Sequence, residues 1–192
     1  IGFLIFFSIF VLLIKFFPNY QKHIIIFLSL FFYSYWNPIF FFLIIYILTT
    51  TFFIIKKKLD LKISIPIIIL PLFYFKYSSF IFDLISINLL EKISYTGSLP
   101  LAISFITFTS IALTIDIKNR EYNEELSFIN FAEFIMFFPQ LIAGPILRAK
   151  ELVPQLKYRI TFTKHNIRFG IILFLIGFVK KIFFADNISS FI

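Results

Sequence analysis

Residues 137–148 combine residue types that can shape and charge a binding site. The stretch reads Phe-Phe-Pro-Gln-Leu-Ile-Ala-Gly-Pro-Ile-Leu-Arg, so two proline breaks interrupt an apolar run that ends in a cation. Pro139-Gln140 and Gly144-Pro145 can form a constriction around a thin, chain-like ligand, because glycine permits close approach of the backbone. The alternative is a simple helix end, since proline often follows a helix terminus.

The charged residues of this region also allow two interpretations. The planar guanidinium of Arg148 can bind a carboxylate or a phosphate, and Arg148 can equally be a positive anchor beside an apolar segment. Lys180, Lys181 and Asp186 form a second charged group, in which the adjacent lysines point about 100° apart on a helix. For this group a structural ion pair is favoured over a contact to phosphates, because charges that reach an interface need no ligand.

Other ionisable residues lie in apolar stretches or at their ends. Glu133 is a functional candidate if its segment is buried, and an ordinary solvated acid if the segment lies at an interface. Asp116 ends an apolar run, and Lys76 can extend its ammonium towards water. His23 and His165 stand beside lysines at segment ends, so both are interpreted as ordinary interfacial residues rather than general bases.

The composition places these residues in a membrane protein. Hydrophobic residues occupy 60% of the 192 positions, and 32 residues are Phe, whereas soluble domains contain roughly 45–50% apolar residues. The sequence has no Cys, which excludes a disulfide framework and a thiol nucleophile. The formal net charge is +8, but the cations form short clusters between apolar runs. That pattern is typical of cytoplasmic membrane flanks and not of a nucleic-acid-binding protein.

The lysine loop at 56–58, extended by Lys62, sets the predicted orientation of the apolar segments. The positive-inside rule puts this loop in the cytoplasm, so the turn after residue 36 faces outside and the amino end lies outside. A membrane crossing needs about 20 apolar residues, and the first four segments reach or approach that length. The predicted segments are 1–17, 20–36, 38–55, 63–87, 99–117, 128–143 and 167–184.

Residues 128–143 are expected to enter and leave the membrane on the cytoplasmic side. The connector at 118–125 is polar, and residues 148–168 hold six cations against one anion, so both flanks have cytoplasmic character. Such a segment is re-entrant or lies at the interface. Backbone broken by proline is tolerated in lipid only where it is buried in protein or lines a cavity.

Three blocks in family order resemble the membrane-bound O-acyltransferase (MBOAT) family, on the branch that O-acetylates bacterial polysaccharides such as alginate or peptidoglycan. They are Leu-Pro-Leu-Ala-Ile-Ser-Phe-Ile-Thr-Phe at 99–108, the stretch at 137–148, and Gly-Phe-Val-Lys-Lys-Ile-Phe-Phe-Ala-Asp-Asn at 177–187. The resemblance implies an all-α, polytopic helical membrane protein, part of a helical ring with a re-entrant segment. Residues 1–192 are then expected to be a single membrane domain, the amino-terminal part of a longer protein.

The resemblance also implies an activity and its participants. Acetyl-CoA is the expected acyl donor on the cytoplasmic side of a bacterial inner membrane, and no cofactor is expected to remain bound. The acetyl group would pass to a sugar hydroxyl directly or through a periplasmic acetyltransferase partner protein. The catalytic histidine is expected downstream of Ile192. The residues expected to bind the donor or line its tunnel are Pro139, Gln140, Gly144, Pro145, Arg148, Lys180, Lys181 and Asp186.

Three other functions stay open at this point. A transporter or channel also builds sites from broken helices and buried charges. A D-alanyl transferase belongs to the same family as the acetylating enzymes. A noncatalytic scaffold that only gathers partner subunits needs no general base.

Overall fold

The computed structural model describes residues 2–85, 99–122, 126–141 and 146–189, and its regular elements in those ranges are all helical. The prediction of an all-α membrane protein is therefore confirmed. The α-helices are α1 (Gly2–Phe16), α2 (Gln21–Trp36), α3 (Ile39–Lys57), α4 (Leu61–Ile85), α5 (Ile103–Lys118), α6 (Phe128–Met136), α7 (Phe138–Leu141), α8 (Ala149–Lys157), α9 (Lys164–Val179) and α10 (Asp186–Ser189).

Two of the described helices are long and apolar enough to cross a membrane, namely α3 and the Leu61–Ser78 part of α4. Helices α1 and α2 together are long and apolar enough to form a third span. The two helices are bent by 109° at the break between them. The break follows from Pro18, which begins a short 3-10 turn and cannot donate the backbone hydrogen bond that would continue α1.

The core forms around α6, which packs against α2, α3, α5 and α8. Six consecutive α6 residues, 131–136, are buried. A helix that is buried on all sides belongs to the interior of a bundle. The short helix α6 is therefore the central element of the described structure, although nine residues are far too few to cross a bilayer that needs about 20.

The region from α9 onwards lies outside this core. Every side chain described from 163 to 188 is exposed, and most of those in α9 are large and apolar. In a membrane, such a helix faces lipid or other transmembrane helices.

Candidate functional site

Helix α6 begins at the polar end of the bundle, which is the end where Lys22, Ser127 and Asn130 lie. The Nζ of Lys22, at the start of α2, donates a 2.7 Å hydrogen bond to Oδ1 of Asn130. Ser127 caps the first turn of α6 by accepting a 3.3 Å bond from the Asn130 N–H. Lys22 belongs to the end predicted to be cytoplasmic, so α6 enters the bundle from that side.

The same segment then reaches halfway along α2. Helix α6 ends at Met136, so the N–H of Phe138 has no partner within that helix. It donates a 3.4 Å hydrogen bond to Oγ of Ser29 in the middle of α2. The Phe138 side chain is fully buried, and its ring centroid lies 4.8 Å from that of Phe10 and 5.1 Å from that of Phe6. A neighbouring serine thus satisfies backbone that the break releases, as apolar surroundings require.

Arg148 forms ion pairs near the end of α5. Its Nη1 lies 2.6 Å from Oε2 of Glu121 and 3.8 Å from Oδ1 of Asp116, at the end of α5. In the described residues, α6 thus begins beside Lys22, Phe138 reaches Ser29 in the middle of α2, and Arg148 lies beside the end of α5. The predicted re-entrant geometry of residues 128–143, of which 142 and 143 lie outside the described residues, stays a prediction.

The ion cluster around Arg148 holds the guanidinium in place. The Asp116 side chain is 6% exposed, whereas those of Arg148 and Glu121 are 49% and 41% exposed. The left-handed backbone of Arg120, with φ of 60°, ends α5 and lets the Glu121 N–H return to the Asp116 carbonyl at 2.8 Å. Half of the Arg148 side chain remains open to an anion, because a guanidinium has five N–H donors.

An apolar groove of about 1170 Å³ lies between α1, α2 and α9. Pro139 of the first proline break and Lys181 of the Lys-Lys pair both line it, together with Gly177. The structure therefore brings two of the predicted site residues to one cavity. Its other lining residues are mainly apolar and aromatic, among them Phe3, Phe6, Phe32, Phe174 and Phe178.

A π-helical turn, Lys180–Ala185, follows α9 and carries the Lys-Lys pair. The N–H of Asp186 donates to the carbonyl of Lys181 across five residues. Single π turns are rare and occur frequently at functional sites. Lys180, Lys181 and Asp186 are all exposed, and the ion pair favoured for them stays a prediction. No sequence pattern marks this turn, because a π turn differs from an α-helix in hydrogen bonding and not in residue type.

Glu133 is buried in the centre of α6, with 1% of its surface exposed. Its Oε1 has no hydrogen-bond partner within the part of the chain that the structure describes. Burial raises the pKa of Glu133 from 4.5 to about 7, and the positive charge of Lys22 limits this rise. Of the two interpretations of Glu133, the solvated acid is therefore wrong.

The remaining predicted site residues divide into two groups. Gln140 lies in α7, is partly buried, and donates its backbone N–H to the Phe137 carbonyl at 3.0 Å. Gly144 and Pro145 lie outside the described residues. His23 and His165 are exposed, as their interpretation as interfacial residues expects.

Residues 118–192 match the family model of MBOAT, the membrane-bound O-acyltransferase family. The chain belongs to this family. The matched range contains residues 128–143, Arg148 with its partner Glu121, and the Lys-Lys block, so the MBOAT signature covers most of the candidate site. The described part of this MBOAT chain contains no group of three or more His, Cys, Asp or Glu that could hold a metal ion.

Named relatives lie on the polysaccharide-acetylating branch of MBOAT. The chain is 41% identical over 126 residues to the probable alginate O-acetylase AlgI of Pseudomonas aeruginosa, covering 61% of this chain and 23% of that protein. It is 30% identical over 213 residues to the peptidoglycan O-acetyltransferase of Helicobacter pylori, covering 91% of this chain and 40% of that protein. The chain thus spans about a quarter to two fifths of the length of these relatives. No solved structure gives a significant match.

Proposed function

We propose that the protein is the membrane subunit of a polysaccharide O-acetyltransferase. It takes an acetyl group from acetyl-CoA in the cytoplasm and moves it across the bacterial inner membrane. A hydroxyl of alginate, peptidoglycan or a similar envelope polysaccharide accepts the group, directly or through a periplasmic acetyltransferase partner protein. The names of the relatives support this activity.

The observation that carries the proposal is the apolar groove lined by Pro139 and Lys181. These residues come from two separate family-like blocks, and they meet at one cavity of about 1170 Å³. Ligand sites typically enclose roughly 300–1000 Å³, so the groove has room for an acetyl group on a pantetheine arm. Its apolar walls favour a thin, uncharged chain, and Lys181 supplies a cation for a polarised carbonyl.

In this mechanism Arg148 binds a phosphate of the donor at the cytoplasmic end. Asp116 and Glu121 fix the guanidinium through Nη1, which leaves other N–H donors for a phosphate of the donor. We expect Arg148→Ala to weaken donor binding, measured by titrating acetyl-CoA into the purified intact protein. Full donor affinity in this variant would count against the role.

We assign the general base to neither His23 nor His165. A general base must reach the hydroxyl from which it removes the proton. Both histidines are exposed and sit beside lysines on the donor side, whereas the acceptor hydroxyl is on the opposite face of the membrane.

Two glycines of α9 provide a matched test of the groove. A Cβ atom added at Gly177 or Gly170 would meet nothing within 4 Å, but only Gly177 is among the residues that line the groove. We expect Gly177→Leu to narrow the passage and lower acetyl transfer at least about tenfold, since small displacements of a reacting group have effects of that size.

The assay measures acetyl transfer from labelled acetyl-CoA to envelope polysaccharide in membranes that contain each variant. Gly170→Leu makes the same change on the same helix, so its activity should stay close to that of the wild type. Equal activity of the two variants would contradict the proposal that the acyl chain passes through the groove.

A further inference from the structure

A second groove, of about 440 Å³, opens at the polar end of the bundle, between the α1–α2 break and the end of α8. Four basic side chains line it, and no acidic residue is among its lining residues. The basic residues are Lys22, His23, Lys157 and Arg159. A cavity with this lining attracts an anion.

Hydrogen bonds between segments far apart in the sequence fix the walls of this groove. Gln21 is buried, and its side chain donates to the Tyr158 carbonyl at 3.2 Å and accepts from the Ile160 N–H at 2.8 Å. Arg159 donates from Nη2 to Oδ1 of Asn19 at 2.8 Å. The cations are therefore held by a defined framework rather than spread over a loose surface.

Tyr158 lines the groove, and three further exposed aromatic residues are close in sequence to its lining residues at 18, 19 and 21; they indicate which anion the groove binds. Phe16, Phe17, Tyr20 and Tyr158 are 71%, 54%, 63% and 75% exposed. Aromatic side chains at a membrane surface lie at the level of the lipid headgroups. Basic pockets between membrane helices on the cytoplasmic side bind anionic headgroups.

We propose that the groove lined by Lys22, His23, Lys157 and Arg159 binds the phosphate of an anionic phospholipid. The lipid chains lie against the exposed aromatic residues, while the cations hold the headgroup at the α1–α2 break. Occupation of the groove ties the end of α8 to the start of α2. This lipid site does not depend on the proposed acetyl transfer.

The test is a titration of short-chain phosphatidylglycerol into the detergent-solubilised intact protein. Near a membrane surface each Lys or Arg contributes roughly fivefold to binding of an anionic lipid. Replacing both Lys157→Gln and Arg159→Gln should therefore weaken binding roughly tenfold or more. The matched control replaces Lys150→Gln and Lys164→Gln, which removes the same charge from exposed sites outside the groove, and it should bind like the wild type.

Three outcomes would overturn the proposal. An equal loss in the control would mean that general surface charge binds the lipid. An equal loss in the charge-preserving pair Lys157→Arg and Arg159→Lys would mean that the first variant only disturbed the structure. Glycerol phosphate binding as tightly as the short-chain lipid would identify a site for soluble phosphate esters instead.

Discussion

Replacing Glu133 with Gln should remove a pH dependence of stability that originates in the centre of the bundle. Glu133 is buried in α6, and its pKa is raised from 4.5 to about 7 because burial disfavours the charged carboxylate. The folded state therefore holds the proton over a pH range in which the unfolded state has released it. Stability linked to this group is fully present below pH 4.5 and decreases as the pH rises to about 7.

The size of the effect follows from the pKa difference between the two states. Each pH unit corresponds to about 1.36 kcal/mol, so the ionised Glu133 lowers the free energy of unfolding by about 3 kcal/mol above pH 7. Glu133→Gln keeps the size and shape of the side chain but removes its ionisable carboxyl group. We expect the variant to be more stable than the wild type by up to about 3 kcal/mol at pH 8 and to match it near pH 4.5.

The assay follows unfolding of the intact protein in mixed detergent micelles by circular dichroism at several pH values between 4 and 8. Glu151→Gln is the control, because it removes the same charge from an exposed position on α8. Its pH profile should parallel that of the wild type. If the wild type and Glu133→Gln show the same slope of stability with pH, Glu133 does not titrate between pH 4 and 8 in the folded protein.

Three further changes can be measured in the same unfolding assay. Lys22→Gln removes the charge that limits the pKa of Glu133, so the midpoint of the pH transition should move above 7, and an unchanged midpoint would contradict that coupling. Phe138→Ala empties a fully buried site packed against α1 and should cost about 3 kcal/mol or more; a cost below about 1 kcal/mol would mean that the site collapses around the loss. Ser127→Ala removes the cap of α6 and should cost about 1 kcal/mol, whereas Ser127→Asp should retain most of that stability.

The helical fold could be predicted because it depends on local patterns. Apolar runs, proline breaks and lysine clusters reveal where helices end and which ends lie together. The hydrogen bond from Phe138 to Ser29 joins residues 109 positions apart. No local pattern indicates which serine on another helix will accept a freed N–H.

The details of the site depend on packing, which the sequence does not reveal. Glu133 is compatible with a solvated or a buried acid until the surrounding helices are in place. The sequence identified Arg148 and Asp116 separately, but their proximity and the contact to Glu121 require the end of α5 to turn back. The π turn at Lys180–Ala185 also had no sequence signal, because a π turn differs from an α-helix in hydrogen bonding and not in residue type.

The most direct test of the proposed acetyl transfer is the ester-linked acetate of the envelope polysaccharide. Polysaccharide is purified from cells with and without the intact gene, and the acetate that mild base releases is measured for each sample. We predict that loss of the gene abolishes most of this acetate and that the wild-type gene restores it. An unchanged acetate content without the gene would contradict the assignment as a polysaccharide O-acetyltransferase.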